Sequence, residues 1–87
     1  MNEKLTRKKN RRRNLQLKIK DYLFKNGESN VKDIAYYLNQ NTIYTTNSRG
    51  VGGLLRECVL NGEVNRMHIT GRFTFYSLTE TFRETMK

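Results

Sequence analysis

An amphipathic pattern in the middle of the chain predicts a helix over residues 45–60. Its apolar positions recur with helical spacing and share one face: Val51, Leu54, Leu55, Cys58 and Val59. The opposite face is polar and holds no carboxylate at its centre: Thr45, Arg49, Gly53 and Arg56. Asn61-Gly62 is expected to end the helix, because glycine readily adopts the left-handed conformation of a C-cap. Four residues are suitable N-caps for its start: Thr45, Thr46, Asn47 and Ser48.

Two consecutive glycines, Gly52 and Gly53, lie inside this helix. Glycine in a helix interior costs about 1 kcal/mol relative to alanine, so the pair requires some compensation. A flat face flanked by Arg49 and Arg56 would let the backbone come close to a partner surface. Alternatively, the glycines relieve crowding against a neighbouring helix. We favour the first interpretation.

Two further helical patterns come earlier in the chain. Residues 14–26 form a helix whose core face is Leu15, Ile19, Tyr22 and Leu23, with Asn26-Gly27 as its stop. Because neither proline nor glycine precedes it, this helix could extend back through Arg11 or Arg7 when phosphates neutralise the basic residues. The second helix covers residues 30–39, with Ser29 as its cap.

The second helix separates apolar from polar positions clearly. Its inward positions are Val31, Ile34, Ala35, Tyr37 and Leu38. Lys32 and Tyr36 point away, so that the Tyr36 hydroxyl could reach a phosphate. Ile43, in the connection to the central helix, is expected to anchor in the core.

After Gly62 the apolar period changes from 3.6 to 2, which predicts two strands, 64–69 and 73–78, around a three-residue loop, 70–72. This register places four apolar side chains on one face: Met67, Ile69, Phe73 and Phe75. The other face carries Val64, Arg66, His68, Thr74, Tyr76 and Leu78. Of these, Val64, Tyr76 and Leu78 would join the core, whereas Arg66 and His68 approach the tip, at which Arg72 lies.

These elements predict an α+β fold that is mainly helical, with three helices, a β-hairpin and a short terminal helix that could form over 79–87. We expect a basic arm at 1–13, one domain at 14–78 and a tail at 79–87. Eighty-seven residues give a core too small for an elaborate buried active site. One Cys and one His are a poor metal set, so no metal or cofactor is expected. Neither a spanning apolar run nor a signal sequence is visible, so the expected location is inside the cell, in cytoplasm or nucleoid.

Net charge is +9, and the first thirteen residues hold most of it. Seven cations stand there against the single carboxylate of Glu3, which gives +6 and leaves +3 for the rest of the chain. A concentrated basic arm on a mildly basic domain is typical of nucleic-acid binding. The alternatives are a solvated helix face, a solubility tail and a contact with acidic lipid. The last is the weakest, since the arm has no apolar stripe.

Three helices followed by a hairpin, with a basic third helix and a basic hairpin tip, resemble the winged helix-turn-helix family. The likeness spans residues 14–78 and rests on three pieces as well as on element order. VKDIAYYL at 31–38 is similar to the family's second helix, TNSRGVGGLL at 46–55 to its recognition helix, and NGEVNR at 61–66 to the start of its wing. The connection from Leu38 to Thr45 is longer than the tight turn of the compact motif.

The resemblance implies a DNA-binding protein, either a transcriptional regulator or a small chromatin-type protein, with helix 45–60 in the major groove and the wing on backbone or minor groove. Arg49 and Arg56 are spaced so that one could reach a guanine edge and the other a phosphate. The candidate DNA-binding residues come from the arm, the helices and the wing: Arg7, Lys8, Lys9, Arg11, Arg12, Arg13, Lys32, Tyr36, Thr45, Thr46, Asn47, Ser48, Arg49, Gly53, Arg56, Arg66, His68 and Arg72.

Other functions compete with this one. A structural RNA-binding protein of the ribosomal winged-helix type would use the same arginines on phosphates and 2′-hydroxyls. A winged helix used only for protein contacts would bind neither polymer, and the basic arm argues against it. An enzyme is not expected, since the sequence has no paired carboxylates in a plausible pocket, no phosphate-cradling glycine motif and no metal cluster.

Seven apolar side chains have no evident place in the three-helix core: Leu17, Phe24, Met67, Ile69, Phe73, Phe75 and Phe82. Left in water, they would form an unusually large exposed patch for a small domain. Either the C-terminal segment folds back over them or a second copy of the chain does. We favour the homodimer, because the nine-residue tail has few anchors.

Overall fold

The computed structural model describes the backbone of residues 3–70 and 73–87, and the side chains of residues 10–67 and 74–87. The fold is α+β and mainly helical, with a small antiparallel sheet of strand order β1-β3-β2. The elements follow one another in this order: α1 Glu3–Asn26, β1 Ser29–Asn30, α2 Val31–Asn41, α3 Ser48–Leu60, β2 Val64–Thr70, β3 Phe73–Leu78 and α4 Glu80–Met86.

The first helix is much longer than its apolar pattern. It begins at Glu3 instead of residue 14, so the basic segment continues the helix without a break at residues 13 and 14. Since every residue from 3 to 26 carries a side chain and none is proline, nothing in the segment interrupts the hydrogen-bond ladder. The predicted end is confirmed: Gly27 has φ +76°, and its N–H donates to the Leu23 carbonyl at 2.9 Å.

The start of α2 corrects the predicted cap. Asn30, and not Ser29, is the N-cap, and its Oδ1 accepts a hydrogen bond from the Asp33 N–H at 2.8 Å. Ser29 belongs instead to the two-residue strand β1, where it is buried opposite Tyr76. Its hydroxyl donates to the Gly27 carbonyl at 3.1 Å, which ties the turn after α1 to the sheet.

The core confirms the predicted inward faces of all three helices. Its buried apolar residues are Leu15, Ile19, Leu23, Ile34, Ala35, Leu38, Val51, Leu54, Leu55, Cys58, Val64, Tyr76 and Leu78. Val31, Tyr37 and Val59 are partly buried and pack against this cluster. The expectation that Ile43 anchors in the core was wrong, since its side chain is 92% exposed. Tyr44, the next residue, packs against the core in its place.

The hairpin has the predicted register from Val64 to His68, where Val64 pairs with Leu78, Arg66 with Tyr76 and Met67 with Phe75. The predicted three-residue loop over 70–72 was wrong, because the pairing shifts by one residue between His68 and Thr70, and Thr70 pairs with Phe73 at the end of β2. Strand β1, which pairs with β3, was not predicted, because a strand of two residues is too short to show an alternating pattern.

The C-terminal segment folds back onto α1 as a short helix, α4, capped by Thr79. Phe82 and Phe24 are partly buried and pack against the core, and so does Met86. For Phe24 and Phe82 the cover therefore comes from the same chain, which was the first of the two alternatives. Leu17 stays 54% exposed, while the side chains of Ile69 and Phe73 lie outside the described residues. The homodimer stays a prediction.

Candidate nucleic-acid interface

Helix α3 begins three residues later than the pattern suggested, at Ser48. Asn47 is its N-cap, with Oδ1 accepting from the Gly50 N–H at 2.8 Å. The side chain of Asn39 fixes the connection before it, because its Nδ2 donates to the Thr46 carbonyl at 2.9 Å and its Oδ1 accepts from the Thr46 N–H at 2.7 Å. Thr45, Thr46 and Asn47 precede the helix. The hydrogen bonds between Asn39 and Thr46 join the residues just before α3 to α2.

The end of α3 joins the helix closely to the hairpin. Gly62, at φ +75°, donates its N–H to the Val59 carbonyl, and the Glu63 N–H donates to the Cys58 carbonyl, each at 3.0 Å. These two bonds form a Schellman motif, which satisfies the last carbonyls of the helix. Because β2 starts at Val64, immediately after this motif, the position of the hairpin is coupled to that of α3.

The polar face of α3 is open. Arg49, Gly53 and Arg56 are exposed, and neither arginine contacts a carboxylate among the described side chains. A Cβ added at Gly52 or Gly53 would meet no atom of the described residues within 4 Å. Among these residues, the interpretation that the glycines relieve crowding against a neighbouring helix is therefore wrong. They leave a flat strip between two free cations.

Gly50 is different from this pair. A Cβ there would stand 3.0 Å from Thr46 Oγ1 and 3.4 Å from Asn47 Oδ1. The absence of a side chain at Gly50 thus makes room for the capping turn, whereas at Gly52 and Gly53 it leaves open surface.

Helix α1 borders one margin of the open face through a polar clamp. Arg12 Nε lies 2.6 Å from Glu57 Oε2, and Arg12 Nη2 donates to the Gly53 carbonyl at 3.4 Å. Gln16 Nε2 donates to the same Glu57 oxygen at 3.1 Å. The hydrogen bond and charge of Arg12 lower the pKa of Glu57. Arg12, expected to contact DNA, is thus engaged inside the chain.

Strand β2 borders the opposite margin. A cleft of about 420 Å³ separates it from α3, and no carboxylate lines this cleft among the described residues. Its lining combines two cations with a largely apolar surface: Gly52, Arg56, Val59, Leu60, Arg66 and Tyr76. Arg56 and Arg66 are both exposed. The cleft therefore offers two cations above apolar walls.

Two carboxylates beside this surface, on Glu57 and Glu63, form ion pairs with cations of α1. Besides the clamp on Glu57, Lys20 Nζ lies 3.0 Å from Glu63 Oε2 in a partly buried ion pair at the root of the hairpin. The same Nζ stands 4.9 Å from the centre of the Phe82 ring. With Glu57 and Glu63 both paired to α1, the open face of α3 keeps a positive charge.

The remaining candidates fall into two groups. Lys32 and Tyr36 are exposed on α2, where Tyr36 lines a depression with Asp33 and Gln40, apart from the α3 face. The other group comes from α1 and the hairpin. The Arg11 guanidinium lies 5.1 Å from the centre of the Tyr44 ring, and Arg13 is exposed. Five candidate side chains lie outside the described residues: Arg7, Lys8, Lys9, His68 and Arg72.

Three further observations concern the thiol, the metal-ligating residues and the helices of the described part of the chain. Cys58 is buried, and burial raises the pKa of its thiol, which disfavours the reactive thiolate. No group of three or more residues suited to hold a metal occurs among the described side chains. Within the same residues, no helix is both long enough and apolar enough to cross a bilayer.

Comparison with known proteins gives no relative that would assign a role to this surface. The chain matches no protein-family model and no curated protein.

Proposed function

We propose that the protein binds duplex DNA through the open face of α3, in the manner of the winged helix-turn-helix proteins it resembles. The observation that carries the proposal is the flat strip at Gly52 and Gly53 between Arg49 and Arg56. Each of these glycines, Gly52 half-buried and Gly53 exposed, weakens the helix by about 1 kcal/mol, and no packing within the described part of the chain compensates for it. A partner surface that requires close approach of the backbone would do so.

The dimensions of α3 suit this role. Thirteen residues give a helix about 20 Å long, which can lie in the major groove of B-DNA, a groove about 12 Å wide. With the helix in the groove, one of Arg49 and Arg56 can donate to a guanine edge while the other reaches a phosphate. The deep, narrow major groove of A-form RNA does not admit a helix, which favours DNA over RNA as the partner.

The two margins of the face extend the proposed contact. On one side, α1 carries its basic segment as a continuation of a helix that Arg12 and Gln16 hold against α3. A helical basic segment differs from a flexible arm, because its backbone follows the axis of α1. On the other side, Arg56 and Arg66 flank the cleft beside β2 and would hold one strand's phosphates.

Single substitutions with a charge-matched control test the proposal. We expect Arg49→Ala and Arg56→Ala each to weaken binding to a DNA duplex by about 1–3 kcal/mol, measured by fluorescence anisotropy. Arg83→Ala removes the same charge from α4, where its guanidinium lies over the Phe24 ring, and should leave affinity nearly unchanged. A loss confined to certain duplexes identifies a base contact, and an equal loss on all duplexes identifies a phosphate contact.

Two results would contradict the proposal. One is an unchanged affinity for both arginine variants. The other is tighter binding of a structured RNA than of any duplex DNA at matched salt, which would favour the ribosomal type of function. Selected and random duplexes compared in the same titration separate a sequence-specific regulator from a chromatin-type protein.

A further inference from the structure

A second surface of the protein is an open groove between α1 and the connection that follows α2. It has a volume of about 580 Å³, and none of the described residues that line it belongs to α3 or β2. We call it the α1 groove. Its walls include the exposed side chains of Leu17 and Ile43, with Leu15 and Tyr44 behind them and Met86 of α4 beside them. It is thus separate from the candidate nucleic-acid interface.

The α1 groove gathers two of the large apolar side chains that the fold leaves in water. Leu17 is 54% exposed and Ile43 is 92% exposed. Hydrogen bonds hold the segment around Ile43, because the Thr42 hydroxyl donates to the Leu38 carbonyl at 2.7 Å and accepts from the Tyr44 N–H at 3.3 Å. The exposure of Ile43 is therefore built into a fixed turn, and exposed apolar residues brought together in this way are typical of a protein-binding site.

The charge around the α1 groove is positive. Lys18 lines it and has no acidic partner among the described side chains. Asp21, its one acidic lining residue, is paired with Lys25 at 3.3 Å. Arg11 stands beside it over the Tyr44 ring. A partner that brings carboxylates to this rim would be attracted, and one that brings cations would be repelled.

The apolar walls and the positive rim of the α1 groove distinguish between three possible occupants: a second copy of the chain, a nucleic acid and a partner protein. A second copy of this chain docked through the same groove would bring Lys18 and Arg11 against their own counterparts, and these like charges would repel each other. A nucleic acid would use the cations but not the aliphatic walls formed by Leu17 and Ile43. We propose that the α1 groove binds an acidic amphipathic helix of a partner protein. Its apolar side chains would pack between Leu17 and Ile43, and its carboxylates would face Arg11 and Lys18.

The proposal does not depend on DNA binding and can be tested with a synthetic peptide. The probe is a sixteen-residue amphipathic helix with leucine and phenylalanine on one face and glutamate on the other. Added to the ¹⁵N-labelled full chain, it should shift backbone amide signals of residues 14–18 and 41–44, and its affinity should fall as salt is raised. A peptide with lysine at every glutamate position should not bind.

Substitutions at exposed positions locate the contact. We expect Ile43→Glu and Leu17→Glu each to weaken peptide binding at least tenfold, because each places a carboxylate in the apolar contact. Leu60→Glu is the matched control, since Leu60 is 77% exposed on α3 and does not line the α1 groove. The Leu60→Glu variant should bind the peptide with the same affinity as the unmodified chain. Circular dichroism verifies that all three variants fold.

Four outcomes would overturn the proposal. The first is no binding of the acidic peptide at millimolar concentration, and the second is amide shifts that lie elsewhere. The third is self-association of the unmodified chain that Ile43→Glu abolishes, which would make a second copy the occupant. The fourth is a shift of residues 41–44 by duplex DNA that Leu17→Glu prevents, which would assign the groove to nucleic acid.

Discussion

The two glycines of α3 allow a test that separates the stability of the fold from its proposed function. Neither Gly52 nor Gly53 has a positive φ, and a Cβ at either position would meet no atom of the described side chains or backbone within 4 Å. Alanine at these sites therefore gains helix propensity without strain and without new packing. We expect Gly52→Ala and Gly53→Ala each to raise the free energy of unfolding by about 0.5–1 kcal/mol.

The expected increase is large enough to measure by thermal denaturation. In a domain of this size 1 kcal/mol corresponds to about 4–8 °C in Tm, so each alanine should raise the midpoint by several degrees. Gly62→Ala is the control, since its φ of +75° makes any side chain unfavourable, and it should lower stability by about 1–2 kcal/mol. A lower Tm for Gly53→Ala would refute the claim that the site is open within the chain.

The same position should respond in the opposite direction when DNA is bound. Gly53→Gln places a long neutral side chain on the flat strip between Arg49 and Arg56, which would hold the helix away from the groove floor. We expect this variant to be as stable as Gly53→Ala but to bind duplex DNA at least tenfold more weakly, a loss of about 1.4 kcal/mol. Unchanged affinity in Gly53→Gln would show that close backbone approach is not the reason for the glycines.

Three further predictions concern α1, the clamp and the buried thiol. Deleting residues 1–10 removes four cations but keeps Arg12 and its ion pair with Glu57. The slope of the logarithm of the DNA-binding constant against the logarithm of salt concentration should then become shallower by about 2–4. An unchanged slope would exclude phosphate contacts by residues 1–10. Arg12 lowers the pKa of Glu57 from 4.5, so the stability that this ion pair contributes is complete above about pH 4.5 and is lost as the pH falls through the lowered pKa. The pH dependence of the free energy of unfolding should therefore be weaker in Glu57→Gln over this acid range. Identical pH dependence in the two proteins would contradict this prediction. Native Cys58 should react with a thiol reagent at least about tenfold more slowly than the urea-unfolded chain, and equal rates would contradict its burial.

The sequence alone predicted the elements whose side chains follow a clear period. The buried face of α3 and the inward residues of α2 could be identified because each presents one apolar stripe at helical spacing. The register of the hairpin followed for a similar reason, since a slip of one residue would turn Val64 and Tyr76 away from the core. The helix ends at Gly27 and Gly62 were equally clear from the sequence, because glycine readily adopts the positive φ that a helix C-cap requires. Both residues have this positive φ in the structure.

Only the tertiary structure decided the parts that depend on contacts between distant segments. Arg12 looked like one more cation of a basic arm, and its pairing with Glu57, 45 positions away, leaves no local pattern in the sequence. The exposure of Ile43 follows from the hydrogen bonds of Thr42, which turn the connection outward. Hydropathy favoured burial of this side chain, but the geometry of the turn determined its position.

The character of the open face was decided in the same way. From the sequence, both a crowded helix contact and an exposed docking surface were possible at Gly52 and Gly53, and the docking surface was favoured. The space around them depends on where α1, α2 and the hairpin lie, and that is fixed by the core and by the ion pairs of Arg12 and Lys20. A residue's type and spacing show what it can contact, but the packing of the other elements determines whether anything is there.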